Sequence, residues 1–192
     1  MNCELNQSWA GARPSSLRRR QKRVADNVIS GYAVTFNKQT VIGNYWREKI
    51  APGTFTRTLR ENPDVVMLLN HDTGRVLGRV SAGTLSLREN SAGLYFSLNV
   101  DPTTPEGQTA LGTVGRQDVK GCSFGFRVRA EEWEDGDDML PLRTITDVDL
   151  FEITLTAFPA FETTSAGLRS TNNEAARRRI EAAMRKRGIP LT

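Results

Sequence analysis

The sequence predicts a mainly β chain with some α (α+β), its strands forming a closed or partly closed antiparallel barrel with peripheral helices. Two observations carry that expectation. Short apolar runs, alternating or continuous, recur from Val28 to Thr156 with Gly, Asn and Ser turns between them. Only about two segments between those runs have a helical character, too few for an alternating α/β chain. A chain of 192 residues suffices for one domain with a real core, and no apolar run is long enough to cross a bilayer.

The elements follow in order. Residues 1–24 read as a basic, disordered leader, with Pro14, Ser15 and Ser16 before the run Arg18-Arg19-Arg20 and no apolar stretch of the secretory kind. Val28 to Phe36 reads as a strand, Asn37 to Gly43 as a loop, and Tyr45 to Ile50 as a short strand. Pro52-Gly53 marks a turn, after which Thr54 is placed to cap a helix through Leu59 to Glu61. Asp64 to Asn70 holds the run Val65-Val66-Met67-Leu68-Leu69, a buried strand. Val76–Ser81, Thr84–Leu87 and Leu94–Val100 continue the β pattern, the last two with clean alternation. Pro102 to Asp118 reads as a loop and a helix, with Pro105 in its first turn. Val119–Arg129 is a strand, Glu131 to Asp138 an acidic loop, Leu142–Ile145 and Val148–Thr156 the last strands. The domain is bounded at residues 25–170, and 171–192 form a basic tail with a helix over 174–187.

Composition narrows the function. Residues 1–23 carry six basic and one acidic side chain, and 174–192 six and two, while 24–173 hold 14 basic and 19 acidic. The net charge of +4 therefore belongs to the ends, which argues against a nucleic-acid-binding core. Cys3 and Cys122 lie far apart, so a reducing setting without a structural disulfide is expected. One histidine and two cysteines cannot build a tetrahedral Cys/His metal site, and no metal or nucleotide cofactor is expected.

Three residues could carry chemistry together. His71 is the sole histidine, so any imidazole mechanism must use it. It sits in Leu69-Asn70-His71-Asp72, where a buried strand meets a turn; position alone favours a surface histidine over a general base. Ser123 lies in Gly121-Cys122-Ser123-Phe124-Gly125-Phe126. As a strand, this sends Cys122, Phe124 and Phe126 to one face and Ser123, Gly125 and Arg127 to the other. Glycines clear space around the serine, and backbone N–H groups near Phe124 could serve an oxyanion. The segment also matches the G-x-S-x-G elbow of α/β-hydrolases, but that family places its histidine after the serine, and here it comes before. Glu152 alternates with Phe151, Ile153 and Leu155 and so points away from their apolar face. It could fix the imidazole tautomer, a role for which Asp149 and Asp72 compete.

Three segments together resemble the prohead (procapsid-maturation) proteases of tailed phages. The first is Ile29 to Asn37 followed by Glu48-Lys49-Ile50-Ala51-Pro52-Gly53-Thr54-Phe55. The second is Leu69-Asn70-His71-Asp72 with Val76-Leu77-Gly78-Arg79. The third runs from Cys122-Ser123-Phe124-Gly125-Phe126 through Asp149 to Leu155 and on to Phe158-Pro159-Ala160-Phe161. The resemblance implies a serine endopeptidase with a barrel related to herpesvirus assemblin, Ser123 as nucleophile and His71 as general base. The assemblin-type triad ends in a second histidine, which this chain lacks; Glu152 is the position assigned to that role. The implied partners are a phage major capsid protein precursor or scaffold protein, and the chain itself through autocleavage or oligomerisation, inside the immature capsid in the host cytoplasm. No membrane or nucleic-acid partner is implied. The alternative is a catalytically inactive capsid-assembly or scaffold-binding module.

Overall fold

The structure, a computed structural model, describes residues 27–61, 64–136 and 140–168. The leader 1–24 and the helix expected over 174–187 lie outside the described residues.

Four strands build one antiparallel sheet: β1 (Val28–Thr35), β6 (Leu85–Glu89), β7 (Gly93–Asn99) and β10 (Gly167–Leu168), in the order β10-β1-β7-β6. Alternation sets its register. Leu94, Phe96 and Leu98 of β7 are fully buried, and Leu98 pairs with Ile29 on one side and Leu85 on the other.

The second sheet is organised around β9 (Leu142–Thr156), a single strand of 15 residues. Along one edge runs β8 (Gly121–Glu134), antiparallel from Gly121↔Thr156 to Glu134↔Leu142. The other edge is shared. Its first part pairs in parallel with β3 (Trp46–Ile50), and its last part in parallel with β4 (Val66–Leu69). β2 (Thr40–Ile42) extends the sheet beyond β3, and β5 (Asp72–Arg79) beyond β4. Between β3 and β4, helix α1 (Thr56–Glu61) fills the gap: the buried Thr58 hydroxyl accepts the Leu150 N–H at 3.1 Å. Helix α2 (Pro105–Gly115) opens on Thr104, whose hydroxyl accepts the Gly107 N–H, with Pro105 in the first turn as expected.

One apolar cluster joins the two sheets. Phe55 stands 6.3 Å from Phe36 and 6.1 Å from Phe124, and Phe124 is 5.9 Å from Phe161, ring centre to ring centre. Ile29, Leu98, Ile145, Leu150 and Ile153 complete it with no exposure.

The mainly β expectation with few helices holds, but the antiparallel barrel needs correction. The pairings give two open sheets, neither closed on itself among the described strands, and β9 takes both β3 and β4 in parallel. Parallel partners come from the chain passing through α1 and returning in the same direction, which alternation does not reveal. Five local expectations also change. The loop 37–43 contains β2. The polar stretch from Asp72 to Arg75 already belongs to β5. Glu131 to Glu134, read as loop, continue β8, and the two last strands are one. Thr54 does not cap α1: its hydroxyl donates to Ala51 O and Ile145 O, and the helix begins at Thr56.

Candidate active site

β4 and β5 are joined by the two-residue loop Asn70-His71, since Leu69 already pairs with Asp72. Both loop residues take positive φ, 54° and 57°. That is the backbone twist favoured in two-residue hairpins, uncommon outside glycine but adopted most readily by residues such as asparagine and histidine. β9 holds the loop in place. Asn70 N–H donates to Leu155 O at 3.0 Å, and His71 N–H to Thr154 Oγ1 at 2.9 Å. The imidazole, half exposed, then reaches Glu152, with Nδ1 2.7 Å from Oε1.

Glu152 stands two residues before Thr154, on the same face of β9. β8 supplies the facing residues: Ser123 pairs with Thr154, and Gly125 with Glu152. Directly opposed residues share a face, so Ser123, Thr154 and Glu152 line one surface, with His71 anchored over it by Thr154. Glycine at 125 leaves room for the Glu152 carboxylate, since a Cβ there would lie 2.5 Å from Oε1 and displace it. The Ser123 hydroxyl makes no hydrogen bond to a described residue, which leaves it free to rotate.

Electrostatics separate the candidates. Burial pushes the Glu152 carboxyl above the ordinary glutamate range, and the His71 hydrogen bond and charge pull it back only in part. Its Oε2 is buried with no hydrogen-bond partner among the described residues. Asp149 lies elsewhere: its carboxylate accepts from Arg127 at 2.8 Å, Arg57 at 2.8 Å and Arg129 at 2.6 Å. Those bonds, Arg127 first and Arg57 next, hold it far below the usual carboxylate range. Asp72 accepts the Gly74 N–H at 2.8 Å within its own strand. Of the three carboxylates the sequence left open, Glu152 contacts His71. Cys122, beside Ser123, faces the core, and burial followed by the Glu152 charge raises its thiol beyond any useful nucleophilicity.

The backbone around Ser123 has an open edge. Leu155 O is taken by Asn70, so Leu155 turns its backbone away from β8, and its partner Cys122 turns away from β9. Cys122 N–H accordingly meets Thr164 Oγ1 at 3.0 Å. Phe124 N–H, two residues on, points the same way and finds no acceptor among the described residues. One sequence expectation fails here. Phe151 does not share the apolar face of Ile153 and Leu155. The pairing shifts from Gly125↔Glu152 to Phe126↔Leu150, so Phe151 lies in a bulge and is 47% exposed.

Sequence reasoning missed Thr154. A buried threonine in a strand reads as core; the available signal was its two-residue spacing from Glu152. Thr154→Val keeps the shape but removes the acceptor for His71 N–H. It is expected to lower stability by about 1 kcal/mol, and Thr154→Ser to restore most of it, both read from urea midpoints. A Val variant as stable as wild type would show that the loop does not depend on this bond.

Among the described residues no group of three or more His, Cys, Asp or Glu side chains could hold a metal ion, and no helix is long and apolar enough to cross a membrane. Comparison with known proteins adds sequence-level findings. The model of a family described as caudovirus prohead serine protease matches residues 15–179. No curated protein matches the chain. Among solved structures, that of a varicella-zoster virus protease is similar over 83% of this chain and 76% of its own, with a TM-score of 0.43 and 11% identity.

Proposed function

Because the chain belongs to the caudovirus prohead serine protease family, we propose that its peptidase chemistry is carried by Ser123 as nucleophile, His71 as general base and Glu152 as the carboxylate that orients the base. The observation that carries this is the 2.7 Å bond between His71 Nδ1 and Glu152 Oε1 on the face that Ser123 shares.

With Nδ1 engaged by Glu152, Nε2 is the nitrogen left to take a proton. Ser123 Oγ attacks the scissile carbonyl as Nε2 removes its hydrogen, and the imidazolium forms against the Glu152 carboxylate. The open Phe124 N–H is the backbone donor next to the nucleophile and suits the developing oxyanion. Collapse breaks the C–N bond, with the proton passing from Nε2 to the leaving amine. Water, activated by the same imidazole, then releases the acyl group and restores the serine. The substrates are the scaffolding segment of a capsid protein precursor or a separate scaffold protein, and the chain itself, inside the immature capsid in the host cytoplasm.

A fluorophosphonate tests the nucleophile directly. Peptide mass mapping of the full chain, free and in capsid-precursor particles, is expected to find one adduct, on Ser123, formed far more slowly in His71→Ala. An adduct on another residue removes Ser123 as the nucleophile, and none in either state favours the inactive assembly module instead.

A further inference from the structure

We infer that the cavity at the start of β8 is the substrate subsite that sets cleavage preference, and that it takes a large apolar or aromatic side chain next to the scissile bond. The inference rests on Ser123 being the nucleophile. The cavity, of about 520 Å³, is lined by Lys120, Gly121, Ala157, Phe158, Pro159, Glu162 and Thr164. That volume lies in the range of pockets that enclose a ligand group.

Its position follows from the strands. Gly121 and Ser123 are two residues apart on β8 and so share a face, about 7 Å from one another. Gly121 pairs with Thr156, the last residue of β9, so the chain leaving β9 folds over that end of the nucleophile's surface. A Cβ at Gly121 would lie 2.6 Å from Pro159 Cγ, so glycine there lets Pro159 close one wall. An extended peptide with its carbonyl at Ser123 therefore projects a neighbouring side chain at this cavity.

Phe158 identifies the chemistry. Its ring is 92% exposed, an unusual position for phenylalanine, while the hydroxyl of Thr156 accepts the Phe158 N–H at 3.3 Å and fixes the turn that presents it. Ala157, Pro159 and the Lys120 stem add apolar wall. The charges do not choose an ionic partner: the lining carries one cation, Lys120, and one anion, Glu162, and neither forms an ion pair among the described residues. Each wall charge attracts one sign and repels the other, so neither sign is selected, whereas an apolar group gains contact with Phe158 and Pro159.

The test is cleavage of a proteome-derived peptide library by the full chain, with cut sites read by mass spectrometry. Wild type is expected to favour Phe, Leu, Met or Tyr at one position flanking the cut. Phe158→Ala is expected to lower kcat/KM for those peptides about tenfold to a hundredfold more than for peptides with Gly or Ala there, and Phe158→Leu to recover most of the preference. Because the ring is exposed, folding does not depend on it. A charged or Gly preference in wild type, or an unchanged preference in Phe158→Ala, overturns the subsite while leaving the protease intact. A wild type that neither cuts peptides nor takes up a fluorophosphonate overturns the serine-protease reading, and the subsite with it.

Discussion

Co-expressed with its capsid precursor, the Ser123→Ala chain is expected to leave both proteins at full mass, whereas wild type shortens the precursor and itself. The loss in rate is expected to be roughly 10⁴–10⁶-fold, the scale seen when a serine nucleophile is deleted. Stability should hardly move. The Ser123 hydroxyl has no hydrogen-bond partner among the described residues, so alanine leaves no donor or acceptor stranded, and the change in unfolding free energy should stay within about 0.5 kcal/mol. The two readouts together are decisive. Full-length masses from a variant that melts like wild type place the chemistry at Ser123. Identical processing by wild type and variant would remove Ser123 from any catalytic role. The masses of the shortened products also give the cleavage sites.

Glu152→Gln should separate activity from stability in opposite directions. The amide keeps an oxygen for His71 Nδ1 but cannot balance an imidazolium, and peptide cleavage is expected to fall roughly 10³–10⁴-fold. Stability should not fall with it at neutral pH. Burial raises the Glu152 carboxyl above its ordinary value in the folded chain. A group shifted up in this way favours the folded state when protonated. Its contribution is fully present below the unfolded glutamate value and is lost as pH rises through the raised folded value. At neutral pH the wild type thus carries a buried charge whose Oε2 has no partner among the described residues, and glutamine removes that burden. Melting temperatures across pH 4 to 8 should show the variant gaining on wild type as pH rises. A variant that loses ground with increasing pH would mean that the His71 contact outweighs burial. Undiminished cleavage would mean that Glu152 does not serve His71.

The parts of the fold that were legible are those where burial alternates. β6 and β7 each put one face in the core, and their sequences show it: Leu94, Phe96 and Leu98 are separated by polar or half-buried neighbours. The α2 boundary was legible because Thr104 and Pro105 act locally. Where pairing overrides composition, the sequence misleads. Glu131, Glu132 and Glu134 look like loop, yet they sit in β8 because Ile145, Thr144 and Leu142 of β9 lie opposite them. Parallel pairing of β3 and β4 with β9 leaves no trace in either strand alone. Of the candidate site, the shared direction of Ser123 and Glu152 was legible from strand alternation. Nothing in the sequence indicated that His71 would adopt a positive φ, that Thr154 would anchor it, or that a bulge would expose Phe151.

β9 touches everything that matters here: it carries Glu152, faces Ser123 across one edge and anchors His71 from the other. It is also among the last stretches of the domain to be synthesised. A chain still on the ribosome possesses its serine and its histidine well before residues 142–156 emerge, but it has no common surface on which to bring them together. Strand order along the gene thus acts as a timer. On the triad proposed above, unfinished or truncated copies lack that shared surface, which forms only when the last long strand slots between neighbours that were made first.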